Sequence, residues 1–277
     1  MATTSCRIAD TRTTTEDTEN TEGAGNPARH GRSPVRVFRV FRGSLLLLML
    51  APCLVGAQGP RPAKPGNLDA YITGDPANAV VTPAGPAFLL MGGSTDVDAA
   101  FSNRALPATN GGDVVVLRTS GSDGYNDYLF SEVAGAIPPH SVESMVVNSV
   151  SKANTTYVEW VIDTAEFVWF AGGDQSAYIN NWQGTKVQAA VQRLINRGGI
   201  VGGTSAGLAI LGEWIYDPDN VSASTGASAV ANPYEAGMII SDRMFTIPIL
   251  DDVITDTHFA QRDRMGRPFA FMARLRQ

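Results

Sequence analysis

The stretch Gly203-Thr204-Ser205-Ala206-Gly207 has residue types and spacing that could do chemistry. It fits the G-x-S-x-G pattern of a nucleophile elbow, in which small neighbours let the backbone turn sharply and lift a serine hydroxyl at the start of a helix. Ser205 would then attack a carbonyl. The N–H of Ala206, at the positive end of the helix dipole, could hold the developing oxyanion. The pentapeptide is equally compatible with a plain glycine-rich turn in which the serine caps the helix. Elements elsewhere in the chain have to decide between these readings.

A serine nucleophile needs a base. The chain has three histidines, His30, His140 and His258. His30 precedes an expected cleavage site, and His140 follows Pro138-Pro139, where a solvated surface position is expected. His258 lies in Val-Ile-Thr-Asp-Thr-His-Phe, an alternating stretch that reads as a strand ending at a sheet edge, so it is the base by elimination. Arg262, Arg264 and Arg267 follow, and the pattern places them at the opening of a helix running to Leu275. Three cations there oppose the helix dipole, which suggests a carboxylate-binding role for at least one.

The elements that would position these groups alternate regularly. Apolar runs at 87–91, 114–117, 144–147, 167–171 and around Ile200 and Val201 read as strands. Between them, Val97, Ala100 and Phe101, then Tyr125, Leu129 and Val133, then 155–165 and 185–197 carry apolar residues at helical spacing. Uniformly apolar strands alternating with amphipathic helices predict a doubly wound α/β fold, with a mostly parallel sheet flanked by helices. Ligands of such sheets sit at the carboxyl ends of the strands, where three loops are glycine-rich: Gly92-Gly93, Gly172-Gly173 and Gly202-Gly203. No G-x-G-x-x-G or P-loop lysine accompanies them, which argues against a nucleotide site. Residues 216–235 read as a long loop beside the pocket. Asp217 and Asp219 lack the spacing of a calcium loop.

The chain of 277 residues is 44% hydrophobic and 17% charged, enough for one well-packed domain. Residues 1–57 are expected to be a disordered extension followed by a signal peptide. A Thr- and Glu-rich start gives way to a basic stretch, then to the short apolar run Ser44 to Ala57, with cleavage after Ala57. Cys53 sits where a lipobox cysteine could, although Pro52 fits that motif poorly. Residues 58–86 read as a linker or irregular entry strand, and 87–277 as the α/β domain. Both cysteines, Cys6 and Cys53, lie before the cleavage site, so the mature chain would have no thiol nucleophile, thiolate zinc site or disulfide. The whole chain has a net charge of −6, and its acidic balance argues against nucleic acid or anionic lipid as a partner.

Together, Phe170-Ala-Gly-Gly-Asp-Gln175, Gly202-Gly-Thr-Ser-Ala-Gly207 and Asp256-Thr-His-Phe-Ala-Gln-Arg-Asp-Arg-Met-Gly-Arg267 resemble the three ordered motifs of the cyanophycinase-like serine peptidases. That family includes aspartyl dipeptidases and has a fold akin to class I glutamine amidotransferases. The resemblance runs from about Phe88 to the end. It implies Ser205 as nucleophile, His258 as general base, an oxyanion hole from Gly173 and Ala206, and a substrate pocket lined by Gln175, Asp256, Arg262, Arg264 and Arg267. Thr257 stands where cyanophycin-degrading members commonly have glutamine, which bears on polymer specificity. The family also continues with a strand and a Gly-Ile-Asp-Glu-like motif whose glutamate orients the histidine, so the resemblance implies a chain truncated at its C-terminal end. Asp256 or Glu213 could replace that glutamate only weakly. Glu213 is expected on the helix after Ser205, in a structural pairing with a cation.

The expected activity is that of a secreted or periplasmic serine-type exopeptidase acting on small aspartyl or β-aspartyl peptides through an acyl-enzyme. Its partner would be a small peptide or cyanophycin-like substrate. No cofactor, metal, nucleic acid or stable membrane association after signal cleavage is expected, and a homodimer is compatible with the sequence. The alternatives are an esterase, which the arginines disfavour, and a non-catalytic peptide-binding domain.

Overall fold

The computed structural model describes residues 59–219 and 221–276, so the expected extension, signal peptide and cleavage site lie outside the described residues. Six strands form the central sheet: β1 (Asp69–Gly74), β2 (Ala87–Met91), β3 (Asp113–Arg118), β4 (Ser141–Val146), β5 (Phe167–Phe170) and β6 (Ile200–Thr204). Their spatial order is β1-β4-β3-β5-β6-β2, and only β1 runs antiparallel to its neighbour.

The apolar runs at the centre of β3 and along β5 follow from burial on both faces. Successive side chains of a strand point to opposite sides of the sheet. Val115, Leu117, Val168, Phe170 and Val201 enter one core, whereas Val114, Val116, Phe167, Trp169 and Ile200 enter the other.

The second of these cores is covered by a helical stretch made of α1 (Asp98–Ala100), a π-helical turn Phe101–Ala105 and α2 (Leu106–Ala108), and by a further π-helical turn, Tyr128–Glu132. The helix expected around Tyr125, Leu129 and Val133 is this widened turn, in which the Val133 N–H reaches the Tyr128 carbonyl. The first core is covered by α3 (Val150–Ala153), α4 (Thr156–Thr164), α5 (Gln175–Trp182) and α6 (Lys186–Asn196). Helix α6 buries Val187, Ala190, Val191, Leu194 and Ile195, the face expected from their spacing. Helices on both faces of a mostly parallel sheet make the fold doubly wound α/β.

Beyond β6 come α7 (Ala206–Ala209), β7 (Trp214–Tyr216), α8 (Gly226–Ala231), β8 (Ile240–Asp242), a 3₁₀ turn at Pro248–Leu250 and α9 (Gly266–Leu275). Strands β7 and β8 pair antiparallel. Tyr216, Met238, Ala229, Ala270 and Phe271 form a third core there.

Four local expectations are corrected. Asp69–Gly74, within the segment read as a linker or irregular entry strand, is a regular edge strand in register with β4. Residues 216–235 are not all loop, because they hold the end of β7 and helix α8, which Thr225 and Ser228 close with a capping box. Helix α7 ends at Ala209, so Glu213 lies beyond it. The stretch before His258 is not a strand and contributes only an isolated bridge between Ile254 and Trp214. No helix among the described residues is long and apolar enough to cross a membrane.

Candidate active site

Strand β6 delivers Ser205 to the carboxyl edge of the sheet, and the chain reverses there at once. Ser205 has φ 53° and ψ −118°, a conformation costly for any side chain-bearing residue and characteristic of a nucleophile elbow rather than an ordinary cap. The flanking glycines allow it. A Cβ on Gly203 would run into the backbone of Gly207, and one on Gly207 would strike the Phe170 carbonyl. No side-chain capping bond is made by Ser205, which removes the plain N-cap reading.

His258 meets this serine across 53 residues of sequence, with Nε2 2.7 Å from Ser205 Oγ. Its backbone is also at positive φ, 51°. The last residue of β2 and the one after it hold both groups. The Ser205 N–H donates to the Met91 carbonyl at 3.1 Å, and the His258 N–H to the Gly92 carbonyl at 2.7 Å. Gly93, at φ 95°, lies so close that a Cβ there would stand 2.6 Å from His258 Nε2 and 3.0 Å from Ser205 Cβ.

The surroundings hold the imidazole below the usual histidine pKa, chiefly through burial and then through the positive charges of Arg262 and Arg264, with Asp256 opposing. A neutral ring is the form that accepts the serine proton. Nδ1 has no hydrogen-bond partner among the described residues. Glu213 does not supply one, since it is occupied by Arg243 and the Asp252 N–H, the structural pairing expected for it.

The other expected residues divide. Carbonyl O of Ser205 accepts from the Leu208 and Ala209 N–H groups along α7, so the Ala206 N–H in the same planar peptide points back out of the helix start. Gly172 approaches closely, with a Cβ there falling 3.5 Å from Ser205 Cβ, and this brings the turn that carries Gly173 to the nucleophile. Gln175 opens α5 and donates through Nε2 to the Tyr216 carbonyl at 3.1 Å. Arg262 is exposed on the turn after His258 and makes no side-chain hydrogen bond among the described residues. Arg264 donates to the Thr257 carbonyl at 2.8 Å.

Arg267 and Asp256 do not line a pocket. The guanidinium is only 1% exposed, pairs with both Asp256 oxygens, stacks 4.3 Å over the Tyr216 ring and donates to the Ser224 carbonyl. Each satisfies the other inside the third core, which leaves neither for substrate. Helix α9 begins at Gly266, so only Arg267 of the three arginines lies in its first turn. His140 is not simply solvated either. Its Nδ1 lies 3.0 Å from Asp113 at the amino ends of the strands, the opposite end of the sheet from Ser205.

Two contributors escape a sequence reading. Gly93 is visible only as part of a glycine pair. Tyr178 is visible only as a phenol on a helix face that must be buried, where its hydroxyl needs a partner. No group of three or more metal-ligating side chains occurs among the described residues.

Residues 122–237 match the model of peptidase family S51. The matched segment contains Gly173 and Ser205 and ends before His258. Among solved structures, the chain is similar to one described as the crystal structure of a peptidase from an acI-B1 Actinobacterium, with 11% identity, a TM-score of 0.46, and coverage of 68% of this chain and 75% of that one. No curated protein matches the chain.

Proposed function

We propose that this chain, whose residues 122–237 match peptidase family S51, is a serine-type peptidase of that family and acts as an exopeptidase on small aspartyl or β-aspartyl peptides. The observation that carries the reading is the 2.7 Å approach of Ser205 Oγ to His258 Nε2, with the serine held at positive φ.

In the proposed reaction, His258 Nε2 takes the Ser205 proton as Oγ bonds to the peptide carbonyl carbon. The oxyanion is held by the N–H groups of Ala206 and Gly173. Collapse breaks the C–N bond, and the same Nε2 proton passes to the leaving amine. Water then attacks the ester and gives a proton to Nε2, and as the acyl C–Oγ bond breaks Nε2 returns that proton to Oγ, releasing the acid product. Arg262, exposed and without a protein carboxylate partner among the described residues, offers a fork for a substrate carboxylate, with Arg264 near enough to interact with it and Gln175 proposed as a further contact. An acidic side chain or terminus close to the scissile bond suits that placement. In this reading the mature enzyme is exported after cleavage at Ala57.

The test is reaction of the folded chain with a fluorophosphonate, followed by peptide mapping and a screen of aspartyl and β-aspartyl dipeptides. A single adduct on Ser205, absent in Ser205→Ala and suppressed in His258→Ala, is expected, together with turnover of acidic dipeptides. A folded chain that takes no adduct would overturn the catalytic reading. Labelling accompanied by turnover of neutral esters alone would overturn the substrate.

A further inference from the structure

The turn after β5 must present an N–H to the reacting oxygen, yet it is a glycine pair with no side chains of its own to stiffen it. We propose that Tyr178 is the positioning residue of this oxyanion turn, its single hydroxyl clamping two successive carbonyls so that the Gly173 N–H faces Ser205. This inference rests on the proposed role of Gly173 and adds the group that keeps it in place.

The geometry carries the argument. Tyr178 Oη donates to the Ala171 carbonyl at 2.8 Å and to the Gly172 carbonyl at 3.0 Å, one O–H shared between two acceptors. A peptide unit is planar, with C=O and the following N–H on opposite sides. Fixing the Gly172 carbonyl on Tyr178 therefore directs the Gly173 N–H away from the phenol. Gly172 itself lies against Ser205, so the turn is within reach of the nucleophile, and the Gly173 N–H is assigned to that side. Neither a free glycine pair nor the β5 ladder would select that orientation. The ladder ends one residue earlier, where the Ala171 N–H donates to the Leu117 carbonyl.

The clamp is itself immobilised. Tyr178 is completely buried on α5, and its ring stacks on Trp182 with centroids 4.4 Å apart and planes 6° from parallel. The Trp182 indole N–H is anchored on the Val147 carbonyl at 2.8 Å. Burial raises the phenol pKa, so the hydroxyl stays a donor throughout the range in which His258 titrates. Helix α5 starts directly after the turn, with Asp174 as its cap accepting from the Ser176 N–H. Both the turn and its clamp therefore belong to one short rigid unit. The fit is close on the other side too, because a Cβ on Gly173 would stand 2.7 Å from Tyr178 Oη. That contact excludes any side chain at the residue whose N–H is used.

The experiment measures the saturable labelling of Ser205 by a fluorophosphonate in the full chain, which separates the maximal rate of adduct formation from the concentration giving half that rate. Tyr178→Phe keeps the ring and its stacking and removes only the clamp. The expected result is a maximal rate lowered about 10- to 100-fold, in line with the rate cost of misplacing a reacting group, with the half-saturating concentration within threefold and the pH midpoint of labelling unchanged. Tyr157→Phe is the comparison. It removes another buried phenol hydrogen bond, to Glu143, in the same core but away from the turn, and it should label at the wild-type rate. Gly173→Ala approaches the same contact from the turn and should show the Tyr178→Phe signature, which provides the test if the phenylalanine variant does not fold. A wild-type maximal rate in either Tyr178→Phe or Gly173→Ala would overturn the proposal, as would an equal loss in Tyr157→Phe. Failure of the wild-type chain to label at all would instead overturn the catalytic reading on which it rests.

Discussion

Replacing Gly93 by alanine tests whether the loop after β2 sets the distance between nucleophile and base. The new Cβ would lie 2.6 Å from His258 Nε2, 2.7 Å from Cε1 and 3.0 Å from Ser205 Cβ. To reach the ordinary contact distance of about 3.4 Å, the imidazole must retreat by about 0.8 Å. The two backbones cannot absorb the shift separately, because the adjacent residues Met91 and Gly92 at the end of β2 hold them. An Oγ–Nε2 separation that begins at 2.7 Å would then pass out of hydrogen-bond range. A misplacement near 1 Å costs on the order of 100-fold in rate. A side chain at φ 95° adds about 1–3 kcal/mol of backbone strain to the folded state.

The two effects separate experimentally. Gly184 is also at positive φ, 71°, but a Cβ there meets nothing within 4 Å, so Gly184→Ala introduces strain without a clash. Urea unfolding should show both variants destabilised by about 1–3 kcal/mol. Labelling of Ser205 should slow about 100-fold in Gly93→Ala alone. A Gly93→Ala chain that labels within threefold of wild type would refute the reasoning, and so would an equal slowing in Gly184→Ala.

Three further outcomes follow from the site and its supports. Arg267→Met should destabilise the chain by about 3 kcal/mol in denaturant unfolding, because it leaves buried Asp256 with only the more distant Arg264 at 3.9 Å; a change confined to KM would restore Arg267 to the substrate pocket. The neutral form of His258 is the working one, so activity is lost as pH falls through its depressed pKa. Arg262→Gln removes one cause of that depression and should move the acid limb of labelling to higher pH, and an unmoved limb in a pH–rate profile would contradict it. Burial raises the Glu166 carboxyl to about 7 in the folded chain, so its protonation favours folding below about pH 4.5 and that contribution, about 3 kcal/mol, disappears as pH rises through 7. Glu166→Gln should flatten the stability profile across that window, as read by unfolding at several pH values, while leaving Ser205 labelling unchanged.

The sheet was legible because burial on both faces leaves a simple mark. The central parts of β3 and β5, 114–117 and 167–170, are apolar at every position, whereas inner strand β4 carries the buried polar residues Ser141, Glu143 and Ser144 and shows the signal only in part. Ser205 was legible for a related reason, since Gly203 and Gly207 exist to let two backbones touch. His258 could be reached only by elimination. Its position depends on a backbone bond to Gly92, far away in sequence, and not on any local strand pattern. The arginines mislead in sequence because three cations in six residues look equivalent. Only tertiary structure separates Arg267, buried over Tyr216 against Asp256, from Arg262, left in solvent. Edge strand β1 escaped because its burial pattern is mostly exposed, which removes the apolar signal the inner strands carry.

The arrangement also says how the spacing of the pair is held by the backbone. Ser205 and His258 are both non-glycine residues at positive φ, and each such backbone costs about 1–3 kcal/mol to maintain. What offsets that cost is shared. Two consecutive carbonyls, Met91 and Gly92, accept one N–H from each, so the spacing of nucleophile and base is copied from the spacing of adjacent peptide units at the end of β2. A planar peptide chain has little freedom over that interval. Side-chain orientation of the histidine is then limited from outside by Gly93, which leaves room for the ring in contact with Oγ but no room for an atom between them. Backbone geometry at the end of β2 therefore fixes the spacing of His258 and Ser205, and changes at residues 91–93 should reach the chemistry more directly than changes at Asp256, whose carboxylate pairs with Arg267.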